Sequence, residues 1–128
     1  MPGAEPDCHA EAVLRCLIVD DSSRFLRAAR VLLERDGVRV VGVASTWAEA
    51  LRGVAELRPD VTLVDIDLRG ESGLRLTRQL GGRVILISSH AEEDYADLIA
   101  ESPALGFLSK TALSGAAIRE LLSASPGR

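Results

Sequence analysis

Leu14-Arg15-Cys16-Leu17-Ile18-Val19-Asp20-Asp21 decides how this chain of 128 residues is read: an apolar run of strand length stops on two carboxylates. Its hydrophobic residues nearly follow one another instead of alternating, which marks a strand covered on both faces. Moving outward, Val38 to Ala44, Val61 to Val64, Arg83 to Ile87 and Leu105 to Leu108 read as four further strands. Between them the period changes. Phe25, Ala29, Leu32 and Leu33 recur at helical spacing, as do Trp47, Leu51 and Val54, and Leu113, Ala117, Leu121 and Leu122 outline a last helix. Thr46-Trp47-Ala48-Glu49 is a capping box, in which Thr46 and Glu49 satisfy two orphan backbone donors. Gly37, Pro59, Gly81, Gly82 and Pro103 fall where the chain must turn or a helix must stop.

Five strands alternating with five helices predict an α/β fold, a single doubly wound (βα)5 domain. Its strands run parallel, because each crossover is a helix packed back on the sheet. Ligands in such sheets collect at the carboxyl ends of the strands. Residues 1–12, with Pro2, Gly3 and Pro6 and no hydrophobic period, are expected to be a flexible leader; 13–123 form the domain and 124–128 a short tail. The 47% apolar content is enough for one core. A net charge of −4, with 15 Lys and Arg scattered along the chain, speaks against direct nucleic-acid binding. No run approaches the ~20 apolar residues of a membrane span and no signal peptide opens the chain, so a cytoplasmic location is expected. Cys8 and Cys16 have neither CxxC nor His spacing for zinc and read as incidental reduced thiols.

The third strand runs into Leu63-Val64-Asp65-Ile66-Asp67, so carboxylates gather at the carboxyl edge of two strands expected to be neighbours. Crowded carboxylates repel and lose hydration, and a hard cation such as Mg²⁺ turns that repulsion into coordination. Asp20 and Asp21 could equally cap the next helix, a common task for Asp ahead of Ser22-Ser23, but capping leaves Asp65 unexplained. Ser88 follows the fourth strand and Lys110 follows Gly106-Phe107-Leu108-Ser109. A single Ser is commonly a cap and a single Lys a solvated charge; it is their joint occurrence at successive strand ends that carries weight. A hydroxyl and an ammonium facing a metal-bound carboxylate suit phosphoryl transfer, whose equatorial oxygens need positioned donors and cations. The carboxylate itself can be the nucleophile.

The ordered set Asp20-Asp21, Asp65, Ser88 and Lys110 resembles the receiver domain of bacterial response regulators over roughly residues 13 to 123. The loop from Asp65 to Gly73 is similar to the family's loop after its phosphorylated Asp. The resemblance implies a flavodoxin-like five-stranded parallel sheet in order 2-1-3-4-5. It implies that Asp65 takes a phosphoryl group from the phosphohistidine of a sensor histidine kinase, and that Asp20, Asp21, Asp65 and the backbone carbonyl of Asp67 hold Mg²⁺. Lys110 would pair with the phosphoryl oxygens. Ser88 would swing to bond them, with Phe107 at the switching aromatic position, where plain core packing is the competing role. The phosphoryl charge would bias the face built by the fourth helix, fifth strand and fifth helix, which would carry output or homodimerisation. The stretches from Ile87 to Asp94 and from Gly106 to Lys110 look most like receivers that precede a helix-turn-helix output domain in transcription regulation. Only a short tail follows Leu122, so a stand-alone receiver or an excised piece is expected.

Three departures accompany the resemblance. Arg69 and Thr111 each stand where the family usually has proline, which leaves the loop geometry and the peptide isomer after Lys110 open. The stretch from Asp65 to Ser88 is several residues short, which predicts a trimmed third helix ending at Gly81-Gly82. Asp67 and His90 are candidates for rate control, able to orient or repel a hydrolytic water, with solvated loop positions as the plainer role. Two rival functions compete. Asp65-Ile66-Asp67 also resembles the Asp-x-Asp motif of haloacid-dehalogenase-type phosphohydrolases, but there the remaining motifs follow the first Asp, whereas here an acidic pair precedes it. A pseudo-receiver that only docks proteins would have no need of the full set of acidic, hydroxyl and Lys positions. The protein is therefore expected to be a phosphoacceptor signalling domain and not an enzyme with its own substrate.

Overall fold

The computed structural model describes residues 13–68, 71–89 and 96–124. Among them the chain alternates as β1 (Leu14–Val19), α1 (Ser23–Arg35), β2 (Val38–Ala44), α2 (Trp47–Leu57), β3 (Val61–Asp65), β4 (Asp67–Leu68), β5 (Glu71–Ser72), α3 (Gly73–Leu80), β6 (Val84–Ser88), α4 (Ala96–Glu101), β7 (Gly106–Ser109) and α5 (Gly115–Ala124). The main sheet runs β2-β1-β3-β6-β7 with every pairing parallel. That is the expected order once β4 and β5, a separate antiparallel pair, are left uncounted. The assigned leader and residues 125–128 of the assigned tail lie outside the described residues.

Successive side chains of the central strands point to opposite faces, and both faces are covered. Cys16, Ile18, Val61, Leu63, Ile85 and Ile87 pack with Leu26, Ala29 and Leu33 of α1 and Ile118 of α5. Leu17, Val19, Val64, Val84 and Leu86 pack with Ala50 of α2 and Leu76 and Leu80 of α3. Each buried Leu or Ile contributes about 1.5–3 kcal/mol relative to exposure, so the double covering of β1, β3 and β6 is what holds their ends in register.

Helix ends are set locally. Ser22, not Asp20 or Asp21, is the N-cap of α1, its hydroxyl accepting the Phe25 N–H at 3.2 Å. Thr46 caps α2 as expected, but Glu49 accepts the Ser45 N–H at 2.9 Å, one residue upstream of the usual capping-box partner. Ser72 caps the eight-residue α3, the trimmed helix expected, which stops at Gly81 and Gly82 in the left-handed region at φ 70° and 73°.

Three strand ends are corrected. Asp65 and Ser88 are the last residues of β3 and β6 and do not follow them, while β7 runs one residue further than expected, to Ser109. The ladder explains the extension: Asp65 pairs with Ile87, the Ile66 N–H donates to the Ile87 carbonyl at 3.0 Å, and Ser88 pairs with Ser109. Backbone bonding continues across a polar side chain as readily as across an apolar one. No cis peptide occurs among the described residues, so the bond after Lys110 is trans. No helix among them is long and apolar enough to cross a membrane.

Candidate functional site

The parallel register brings the polar strand ends together. Val19 pairs with Val64, so Asp20 and Asp65 emerge side by side; Ser88 ends β6 next to them, and Lys110 begins the turn after β7. Asp20 is fully buried, Asp65 is 7% and Ser88 3% exposed, and Asp21 is half-buried at the rim. One oxygen from each of Asp20, Asp21 and Asp65 lies within 4.8 Å of the others.

Asp20 and Asp65 divide their oxygens in the same way. Each Oδ1 holds the backbone two residues on: Asp20 accepts the Ser22 N–H at 2.8 Å and Asp65 accepts the Asp67 N–H at 3.1 Å. Each Oδ2 faces the Lys110 ammonium, at 2.5 Å from Asp20 and 3.3 Å from Asp65. The contact with Asp20 is ionic and not an aligned hydrogen bond, which leaves that buried oxygen short of a directional partner among the described residues.

Gly73 closes the site from below. Its N–H donates to the Ile66 carbonyl at 2.7 Å, and a Cβ at this position would collide with the Asp65 carbonyl. Only glycine lets α3 start directly against the end of β3. The β4–β5 pair sets Asp67 opposite Ser72 and Leu68 opposite Glu71.

The electrostatics are unbalanced, because three carboxylates converge and the Lys110 ammonium contacts two of them. Burial pushes the Asp65 carboxyl above its ordinary value of 3.8 and the charge of Asp20 adds to the rise, against the lowering by the Asp67 N–H and by Lys110. For Lys110, burial opposes the charge, but the contact with Asp20 and then the charges of Asp65 and Asp20 outweigh it, and its pKa lies above the ordinary lysine range. Hard oxygen donors, converging at less than 5 Å and incompletely hydrogen-bonded, fit a small divalent cation such as Mg²⁺.

Of the residues singled out in the sequence, Asp20, Asp21, Asp65 and Lys110 come together and Ser88 adjoins them. The Asp67 side chain is exposed, while its backbone N–H holds Asp65. Phe107 is half-buried and packs against the core on the α2 and α3 side of the sheet, and His90 lies outside the described residues. The helical spacing predicts a core position for Phe25. It does join the core on the α1 side, but its ring also carries the Lys110 ammonium 4.5 Å from its centroid. Its place one turn after Asp20-Asp21 was the only signal for this in the sequence.

The fold and sequence have counterparts in known proteins. A receiver domain of the M. tuberculosis response regulator NarL superposes with a TM-score of 0.75 at 30% identity, covering 91% of this chain and 98% of that one. The response regulator GacA of Pseudomonas viridiflava is 31% identical over 118 residues, 88% of this chain and 53% of that protein. The transcriptional regulatory protein LiaR of Bacillus subtilis is 29% identical over 121 residues, 90% of this chain and 57% of that protein. The chain thus spans about half the length of these two curated relatives. A family model of the response regulator receiver domain matches residues 16–122, and the chain belongs to that family.

Proposed function

We propose that this chain is the phosphoacceptor of a two-component system and that Asp65 receives the phosphoryl group from a sensor histidine kinase. The observation that carries the reading is the Asp65 carboxylate itself, ending the central strand β3 within 4.8 Å of Asp20 and Asp21 oxygens and 3.3 Å from Lys110. An Asp65 oxygen attacks phosphorus, an O–P bond forms as the P–N bond of the phosphohistidine breaks, and the departing imidazole keeps the electron pair and ends neutral after taking a proton.

Asp20, Asp21, Asp65 and the Asp67 carbonyl would hold Mg²⁺. When bound, the ion supplies charge neutralisation for the phosphoryl oxygens. Lys110 follows the phosphoryl group as its counter-ion. Ser88, buried at the end of β6, donates to the same oxygens, and Phe107 on the neighbouring strand β7 responds to it. The face of α4, β7 and α5 would carry the signal to an output domain or a second copy, in keeping with relatives named as transcriptional regulators. Asp67, exposed two residues past the acceptor, and His90 would tune hydrolysis of the acyl phosphate. The protein would act in the cytoplasm.

Incubation with Mg²⁺ and acetyl phosphate, followed by intact mass measurement, tests the reading. A base-labile gain of one phosphoryl group is expected in the wild type and none in Asp65→Asn. No gain in the wild type, or an equal gain in both, would overturn it.

A further inference from the structure

Among the described residues the Lys110 ammonium has three neighbours: Asp20 Oδ2 at 2.5 Å, Asp65 Oδ2 at 3.3 Å and the ring of Phe25, 4.5 Å to its centroid. The first two are carboxylates that the proposed chemistry engages elsewhere, Asp20 with a cation and Asp65 with the incoming phosphorus. The ring is the one neighbour of the three that neither a metal nor a phosphoryl group competes for. We infer that Phe25 is a positioning residue for phosphoryl transfer, holding the Lys110 ammonium over the site while its carboxylate partners change; the inference rests on the phosphoacceptor reading of Asp65.

A lysine side chain is a point charge on a flexible stem and loses much freedom when fixed by one contact. A ring face attracts the cation without aiming it along one bond, so the ammonium can shift between oxygens while its overall heading is kept. The ring is itself well held. The Phe25 N–H donates to Ser22 Oγ at 3.2 Å, fixing the first turn of α1, and the side chain packs against the core shared with α5. The stem of Lys110 is held from the other end, where Ser109 Oγ accepts the Thr111 N–H at 3.2 Å at the start of the turn. With 17% of the Lys110 side chain exposed, the ring screens the ammonium on a side where water would otherwise solvate it.

The reaction read is transfer from acetyl phosphate, an O–P bond forming at Asp65 as acetate leaves. With Mg²⁺ present, the initial rate in Phe25→Leu and in Phe25→Met is expected to fall about threefold to tenfold, the range of a partly desolvated cation–ring contact. Phe25→Tyr, which keeps the ring, is expected to stay within about twofold of the wild type on the same grounds. A double-mutant cycle separates this from packing: in a Lys110→Gln background, Phe25→Leu is expected to change the rate less than about twofold, because its partner is gone. Wild-type rates in both aliphatic variants would overturn the inference, as would an equal slowing by Phe25→Leu with and without Lys110. A wild type that takes no phosphoryl group instead overturns the reading of Asp65, so the two failures are distinct.

Discussion

The two edges of the sheet treat their polar groups in opposite ways. At the amino edge every charge discussed is closed on the backbone. The Arg15 guanidinium donates to the carbonyls of Arg58 and Leu57, each at 2.7 Å, and the Arg15 backbone N–H donates to Asp60 Oδ2 at 2.8 Å. Asp36 likewise accepts the Gly115 N–H at 2.8 Å, and the Arg119 guanidinium donates to the Asp36 carbonyl at 3.2 Å. At the carboxyl edge Asp20 and Asp65 are more deeply buried, yet half of each carboxylate is committed only to one shared ammonium. Concavity does not separate the two, since a cleft of about 670 Å³ lies at the amino edge beside Asp60, Arg83 and Arg119. What separates them is satisfaction: the amino edge closes these polar groups on the fold, and the carboxyl edge leaves charge incompletely satisfied, as the proposed site requires.

The comparison can be broken at several points. Gly73→Ala should have the largest effect, about 3 kcal/mol of lost stability in a denaturant titration, because the new methyl meets backbone and not a movable side chain. An unchanged midpoint would mean that the carboxyl edge is not rigidly built. Arg15→Ala should cost about 1–2 kcal/mol, since two carbonyls lose charged donors. A neutral result would remove the contrast from its other side.

Asp65→Asn should act in the opposite sense. Without Mg²⁺ at pH 7 it should gain on the order of 1 kcal/mol, because a carboxylate whose ionised form is disfavoured by burial and by the charge of Asp20 is removed. The sign follows from the raised pKa: the unfolded chain releases this proton first, so wild-type stability declines as pH rises from about 3.8 through the higher folded value. The difference between the two proteins should therefore vanish at or below pH 3.8, and a variant less stable than the wild type at pH 7 would count against the account. The smallest effect concerns Cys16, whose thiol burial pushes up to about 12. Peptide mapping after iodoacetamide treatment at pH 8 should find Cys16 unmodified in the native protein and modified in denaturant.

The strands and their closing residues were legible because a doubly covered strand writes itself as an apolar run, and the first polar residue after it marks the edge. Asp20, Asp65 and Ser88 are legible that way, and Lys110 follows one residue beyond Ser109. The β4–β5 pair was not, since two-residue strands leave no period to detect. Assigning the α1 cap needed atoms: Asp20 and Ser22 are both good capping residues, and only the structure has Ser22 bonding forward while Asp20 turns inward. Phe25 escaped for a related reason, because a helical stripe accounts for an aromatic residue completely until a charge from a distant turn is seen on its face.

The most direct test of the central claim locates the phosphoryl group chemically. Protein treated with acetyl phosphate and Mg²⁺ is reduced with borohydride, which converts an aspartyl phosphate to homoserine, and the peptides are then sequenced by mass spectrometry. The account predicts homoserine at position 65 and nowhere else; homoserine at position 20, 21 or 67, or at none, would contradict it.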